Sequence, residues 1–541
     1  MRSTLAALAV ALGCAPSPPE DWRDEVIYQI VTDRFANGDP SNDGASGVPP
    51  MPGVPNRIHG GDLRGITEHL DYVTALGATA IWISPIVRNV ARNEVGDGYH
   101  GYWASDFTEL EPRLGDEVEL HRLVREAHAR GLRVIVDIVP NHAGRVFDYD
   151  VGGDGRPDPE PAVAPRYSPA VQPGEVLFSA APRLFTDEGT LTLGPEHFHR
   201  RGIGDLGVPE ERAYGDFPEG LRDLDTARDD VVEALITTFA RWAIDFDFDG
   251  YRIDAVPHVE PAFWPRFCTG LRARLAAAGR TRFFLFGEVF ETRPESLVPW
   301  LVPGGIDAAF DIPLKFGLID GVILGGAPPA EAAHFLEADR RLYPSAPAPG
   351  GVGLDPWQAR VVFGDSHDVT RLRALVDDPF AVDQALVAVF TAGGIPLVYY
   401  GTEQDLAGGG GHLGREPLWE TGYAEDGATF RLIQLLAAIR RSSPALRRGE
   451  TVVRWAAEVG GRALDTSAED RGLLAWERSL GAEHVLVVLN THPTRSARAA
   501  IPTALPDGAA LDRLGGARFV VAAGRAEVTL PPRTSAILFA R

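Results

Sequence analysis

Three carboxylates, two histidines and one arginine stand at the ends of four short apolar runs. The runs are DIVPNH at 137–142, GYRIDAVPH at 250–258, FGEVF at 286–290 and FGDSHD at 363–368. An apolar run that ends in acids or histidines is the pattern of a buried parallel strand whose C-terminal tip opens into a cleft. Asp254, Glu288 and Asp368 fall on three such tips, with His142 and His367 on two. Arg252 precedes Asp254 by two residues, so strand alternation places both side chains on one face. This set suits chemistry on a neutral, polyhydroxylated substrate.

Strands and helices must alternate to hold these tips. Strand candidates are VIYQIVTDRF, TAIWISP, LRVIVDIVP, FDGYRIDAV, RFFLFGEVF, IDAAFDIP, ARVVFGDSHD and IPLVYYGTE. Helical patterns between them include LRGITEHLDYVTALG, VELHRLVREAHARG, VVEALITTFARWAIDF, PAEAAHFLEADRRL, AVDQALVAVFTAG and, last, FRLIQLLAAIRR. Eight strands, each followed by a helix, predict an α/β fold of the (β/α)8 TIM barrel type. A doubly wound open sheet alternates in the same way, but acids spread over the whole set of tips suit a closed ring. The long connection after strand 3 predicts an inserted domain at 143–226, Pro/Gly-rich in the middle. The barrel then occupies 21–142 and 227–448. From 449 to 541, alternating runs separated by turns predict a C-terminal antiparallel β-sandwich.

The 541 residues exceed one ordinary domain, and a 45% apolar fraction permits a large core. The net charge of −23 argues against nucleic acid, whose phosphates need basic patches. Two cysteines offer no disulfide framework. Cys268 lies in an amphipathic helical stretch and is expected to be an inert buried thiol. Residues 1–20 have a signal-peptide layout: one Arg, an apolar run, then Gly13-Cys14 and the tether-like APSPPEDW. The run is too short to span a membrane. It is similar to a bacterial lipoprotein signal, with lipidation at Cys14, although Ala11 stands where Leu is usual. Ordinary secretion with removal of Cys14 is the other reading. Export is expected either way, with no membrane contact beyond the lipid anchor, and a monomer is expected.

The four motifs resemble conserved regions of glycoside hydrolase family 13, the alpha-amylase family. So do GATAIWISP, YHGYW, LRDLDT and GIPLVYYGTE, in the family's order from about Asp21 to the chain end. The resemblance implies that Asp254 is the nucleophile, kept ionised by Arg252, and that Glu288 is the general acid/base. Together they imply a retaining pair with a covalent glycosyl–Asp254 intermediate. Asp368 is implied as the third acid, and His142 and His367 as ligands of sugar hydroxyls. His100, Tyr102 and Trp103 come from YHGYW. Tyr102 is expected to stack on the sugar at the cleavage point, while Trp103 binds substrate or packs in the core.

The resemblance also implies one or two Ca2+ ions. Asn141, Asp223 and the carbonyl of His258 match ligands of the calcium that ties the insert to the barrel. ANGDPSND with HGGDLRGI is similar to a bacterial calcium loop, offering Asn37, Asp39, Asn42, Asp43, the Gly60 carbonyl and Asp62; an ordinary polar turn is the alternative. Asp148, Asp150, Asp154 and Asp158 form a third acidic loop, either a calcium loop or a flexible one. Pro257 stands where the family often has a lysine on the leaving-group side. The chain shows one β-sandwich and none of the additional C-terminal modules of full-length cyclodextrin glucanotransferases, which favours hydrolysis over cyclisation. The implied activity is cleavage of α-1,4 links in starch, glycogen or maltooligosaccharides. A glucanotransferase or glucosyl isomerase would use the same residues. A non-catalytic glucan-binding protein is the remaining reading, opposed by the presence of all three acids.

Overall fold

The structure, a computed structural model, describes residues 21–158, 176–301, 305–461 and 468–541. Eight parallel strands form its centre: β1 Ile27–Ile30, β2 Ala80–Ile83, β3 Arg133–Ile138, β4 Gly250–Ile253, β5 Phe284–Gly287, β6 Ala308–Ala309, β7 Val361–Phe363 and β8 Ile395–Tyr399. They pair in sequence order, and β1 also pairs with β8. A parallel bridge between Phe310 and Val361 joins β6 to β7 and closes the ring. The closed barrel forms, and the open sheet does not.

Alternation along the strands sorts side chains into two cores. Ile27, Trp82, Ile135, Phe284, Phe286, Phe310 and Phe363 fill the barrel. Tyr28, Ile81, Val134, Val136, Tyr251 and Leu285 face the helices. Each large apolar side chain so buried contributes roughly 1.5–3 kcal/mol. Register sets Arg252 of β4 beside Asp137 of β3 and Phe286 of β5. The inward parity that carries Phe284 and Phe286 therefore continues to Glu288 above them.

The helix Asp229–Phe246 buries Val232, Leu235, Ile236, Phe239, Ala243 and Phe246, a three-and-four spacing that turns one stripe to the barrel. Asp116 caps Glu117–Ala129 by accepting from Glu119 N–H. The helix expected over PAEAAHFLEADRRL does not form. Residues 329–342 make three short 3-10 turns instead. Contacts with the C-terminal domain outcompete helical bonding there: Ala330 N–H donates to the Ala457 carbonyl and Val453 N–H to the Glu337 carboxylate. The helical segment after β6 is Ile312–Leu324, wide-turned from Lys315 onward. Gly317 is required in it, because the Phe335 ring sits where a Cβ would be.

Between β3 and β4 the chain leaves the barrel. His142–Ala143 pairs antiparallel with Arg222–Asp223, strapping the start of this excursion to its end. Two hairpins lie between, Phe147–Tyr149 with Val176–Phe178 and Arg183–Thr186 with Gly189–Thr192. The buried Arg222 guanidinium covers Phe147 and Tyr149 at 4.7 and 4.9 Å and is 2.8 Å from Asp216. Much of the Pro/Gly-rich middle, residues 159–175, lies outside the described residues, as does Cys14.

The C-terminal domain is one continuous antiparallel sheet of β9 Glu450–Ala456, β10 Leu473–Leu480, β11 Glu483–Asn490, β12 Ala497–Pro502, β13 Gly508–Asp512, β14 Arg518–Ala522, β15 Arg525–Leu530 and β16 Ser535–Ala540. The order is β9-β10-β11-β16-β13-β14-β15-β12. Sequence patterning identifies six of these. The other two, β12 and β13, are rich in alanine and lack the β-branched signal. Trp476, Val485, Val487 and Ile537 pack into the barrel's helical core, while Leu473, Leu486, Val488 and Leu538 form a separate core with Ile501, Val521 and Val528. Cys268 is buried, and burial pushes its thiol up to about 12. Among the described residues, no helix is long and apolar enough to cross a membrane.

Candidate active site

The ladder continues one step past the strand ends. Asp254 N–H bonds the Ile138 carbonyl at 2.9 Å and Glu288 N–H bonds the Ile253 carbonyl at 2.8 Å. Both acids therefore stand on fixed backbone. Ala255 then turns into the left-handed region at φ 52°, which costs a non-glycine residue roughly 1–2 kcal/mol. The turn aims Ala255 N–H at Glu288 Oε2, 3.2 Å away.

Arg252 is the hub. Its Nη1 lies 2.6 Å from Asp254 Oδ1 and 3.0 Å from Asp137 Oδ1; its Nη2 lies 2.9 Å from Glu288 Oε2 and 4.0 Å from Asp368 Oδ2. Trp82 underlies it at 5.4 Å. Four carboxylates thus crowd one guanidinium above an aromatic floor. Burial pushes the Asp254 carboxyl well up; Arg252 opposes this, but the charges of Glu288, Asp137 and Asp368 add to it. Arg252 is thus beside Asp254 as expected, and it is shared with three further carboxylates. Burial likewise raises Asp137 to about 7 against the pull of Arg252.

The Tyr102 hydroxyl donates to Asp137 Oδ2 at 2.7 Å and sits 2.7 Å from His367 Nε2, with the two rings parallel 5.5 Å apart. Gln29 Nε2 meets the other ring nitrogen, Nδ1, at 2.5 Å. Burial, then Arg415 and Arg252, hold His367 well below the usual histidine range, so it is a neutral imidazole. His100 is lowered by burial and by Arg415, and its ring stacks 5.6 Å from that of Tyr102. His142, lowered to about 4 by burial, points Nε2 at the Tyr102 carbonyl and stacks on Phe217 at 5.4 Å. Trp103 is 1% exposed and meets His100 edge-on, so its ring is mainly packing.

These groups line a cleft of about 670 Å³. Asp254, Glu288, Asp368, His100, Tyr102, Trp103, His142 and His367 all reach it, and Arg252 lies directly beneath. Sequence reasoning missed four contributors. Asp137 stood in a quoted motif, near the end of its strand, but was given no role. Gln29 sits inside an apolar run. Arg415 and His412 come from an irregular loop after β8 with no periodicity to single them out.

Two groups of oxygen donors lie apart from the acids. Asp223 Oδ1 and the His258 carbonyl each sit 2.8 Å from Asn141 Nδ2, and Asn141 Oδ1 is 2.9 Å from His142 Nδ1. With the Asn141 amide turned over, its Oδ1 joins these two oxygens and its Nδ2 donates to the neutral His142; three oxygens then meet as a hard cation requires. At the second group, Asp62 accepts N–H bonds from Gly38, Asp39 and Gly65. Asn37 Oδ1 and Asn42 Oδ1 are buried without a hydrogen bond, and a Cβ on Gly60 would strike Asn37 and Asp43. These orphaned oxygens fit a cation. The Asp39 carboxylate is turned elsewhere, to Ser41 and to Arg64 at 3.1 Å. In the third acidic loop, Asp150 and Asp158 are occupied by backbone N–H groups and Asp148 by Arg145.

Residues 29–157 and 211–426 match the family described as alpha amylase, catalytic domain. The chain belongs to the alpha-amylase family. The family match skips 158–210, the middle of the insert, and residues 466–537 match the maltogenic amylase C-terminal domain. An alpha-amylase of Streptomyces lividans is 32% identical, covering 88% of this chain and 56% of that protein. A cyclomaltodextrin glucanotransferase of Geobacillus stearothermophilus is 31% identical, covering 92% and 63%. The chain therefore spans less than two thirds of the length of these relatives. A solved cyclomaltodextrin glucanotransferase with a three-domain ABC distribution superposes with a TM-score of 0.77 at 26% identity, covering 95% of this chain and 99% of that one.

Proposed function

We propose that this chain hydrolyses α-1,4-glucosidic bonds of starch, glycogen or maltooligosaccharides with retention of configuration. The observation that carries the reading is Arg252 holding Asp254 and Glu288 on its two terminal nitrogens. Neighbours on one guanidinium suit the ~5 Å spacing of retaining pairs better than the roughly 6.5–9.5 Å that seats a water in inverting ones. Asp254 attacks the anomeric carbon, Glu288 gives its proton to the glycosidic oxygen, and that bond breaks. Water then attacks the glycosyl ester, returns a proton to Glu288 and frees Asp254. The first step needs a proton on Glu288 and an ionised Asp254. Asp368, His367 and His142 would hold the sugar hydroxyls.

Product analysis tests this. The purified protein is incubated with soluble starch and with maltoheptaose, and products are resolved by chromatography. Shorter linear sugars with new reducing ends are expected; no change on either substrate would overturn the reading.

A glucanotransferase reading is favoured by one feature. Phe290, two residues past Glu288, is 50% exposed and lines the cleft with Leu206, an apolar surface for an acceptor sugar. The number of domains does not oppose it, since a three-domain glucanotransferase has the same architecture. Longer or cyclic glucans without new reducing ends would establish transfer.

Calcium is proposed at Asn141, Asp223 and the His258 carbonyl, and at Asn37, Asn42, Asp43, Asp62 and the Gly60 carbonyl. The ion would supply rigidity there, at the first site through the Asn141–His142 bond. Export, with lipidation at Cys14 or plain secretion, is proposed from residues 1–20. Detergent phase partitioning of the full chain tests the anchor: recovery only in the aqueous phase would exclude lipidation.

A further inference from the structure

A cluster of metal-ligating side chains lies beside Asp223. A short antiparallel bridge, Phe198 with Leu224, brings the insert's returning strand beside its own earlier segment. His199 N–H donates to the Asp223 carbonyl, and Asp225 N–H to that of His197. His199 and Asp225 therefore project to one side, where Glu260 arrives from the loop after β4. One nitrogen or oxygen from each of the three lies within 4.8 Å of the others.

The ring nitrogens of His199 have different surroundings. Nδ1 is 2.5 Å from Asp223 Oδ2 and gives its proton there. Metal binding removes the second ring proton and so frees a lone pair on Nε2. That nitrogen is ion-paired with Asp225 Oδ1 at 3.3 Å and Glu260 Oε1 at 3.2 Å; burial lowers His199, but Asp223, Asp225 and Glu260 together raise it to about 12, so a metal entering here displaces a proton. Glu260 is 8% exposed and its Oε1 makes no hydrogen bond, while Thr226 holds the other oxygen. Three ligand atoms thus gather within 4.8 Å of one another, with the buried Glu260 Oε1 held only by the His199 ion pair.

The ligand types select the cation. Tetrahedral bonds of roughly 2.0–2.1 Å separate adjacent ligands by about 3.3 Å. Calcium takes six to eight oxygens at longer distance and has no use for an imidazole. A carboxylate on the far ring nitrogen, as Asp223 provides, is the usual support of a metal-bound histidine. We propose that His199, Asp225 and Glu260 form a mononuclear zinc-type site, distinct from the oxygen-only site and joined to it through Asp223. Asp223 turns Oδ1 to Asn141 and Oδ2 to His199. None of the three ligands lines the catalytic cleft, so the role is to clamp the insert to the barrel rim.

The test uses the full chain, stripped with chelator, desalted and checked for folding by circular dichroism. Zn2+ alone or Co2+ alone is added, and metal retained after gel filtration is counted by atomic emission. About one ion per chain is expected, with the visible absorption of tetrahedral Co2+. Glu260→Gln and His199→Gln should each weaken Zn2+ retention by roughly tenfold or more. Glu260→Gln preserves shape and keeps the test valid should His199→Gln fold poorly. A folded wild-type chain that holds neither ion would overturn the proposal and leave His199 as an imidazolium paired with its acids. Retention unchanged in Glu260→Gln, or complete displacement of Co2+ by Ca2+, would overturn it as well.

Discussion

Arg415 Nη2 lies 3.3 Å from Asp368 Oδ1 while Arg415 Nε holds the His367 carbonyl at 3.1 Å, so one guanidinium fixes both an acid and the backbone beside it. Asp368 is the most exposed of the three acids in the cleft and has few other anchors. Arg415→Gln should therefore lower kcat/KM by roughly 10- to 150-fold, the value of a charge-assisted hydrogen bond of about 1.5–3 kcal/mol. Steady-state kinetics on maltoheptaose check this. An unchanged kcat/KM would mean that substrate positions Asp368 by itself.

Asp254→Asn should reduce kcat by roughly four orders of magnitude or more, as loss of a nucleophile does. Its melting temperature should stay equal to wild type or rise, since a charge is removed from a crowded acidic cluster. Activity within tenfold of wild type would sink the double-displacement scheme.

Metal removal should act on stability. A chelator should lower the melting temperature by about 2 °C per site, about 5 °C for two, if calcium at a hundred times its Kd contributes about 2.7 kcal/mol at each. Asp62→Asn should remove part of that response and Asn141→Leu another part. A melting curve indifferent to chelator would count against both oxygen-donor sites.

Burial raises Glu25 to about 7, with Thr79 and Arg133 opposing. The folded state thus binds a proton that the unfolded chain releases above about pH 4.5. This stabilising term is complete at low pH and is lost as pH rises toward 7. Glu25→Gln should match wild type near pH 4.5 and exceed it by about 1–2 kcal/mol at pH 8, after allowance for partial exposure. Denaturant titrations at the two pH values read the difference; a gap that is constant with pH would refute the assignment.

The strand tips were legible because β-strand physics repeats. An inward parity that begins with Phe284 and Phe286 must reach Glu288, and one that carries Arg252 must carry Asp254. The contribution of Asp137 needed the register, which places it beside Arg252 across two strands. Arg415 and His412 were illegible because a loop carries no period, and their partners are distant in sequence. The helix expected at 329–342 failed for a related reason. Its local pattern is helical, but Glu337 bonds to β9 of another domain and Ala330 to Ala457 just past it. Propensity is a weak prior wherever such contacts compete.

The two-residue ladder between His142–Ala143 and Arg222–Asp223 has a mechanical meaning. On that side the pocket has no wall of its own; it borrows one from the insert, and His142 stands at the seam. Anything that loosens the excursion disarms the chemistry while the eight-stranded ring is still intact. Inactivation on warming should therefore run ahead of the loss of secondary structure, and the protein should fail from its rim inward.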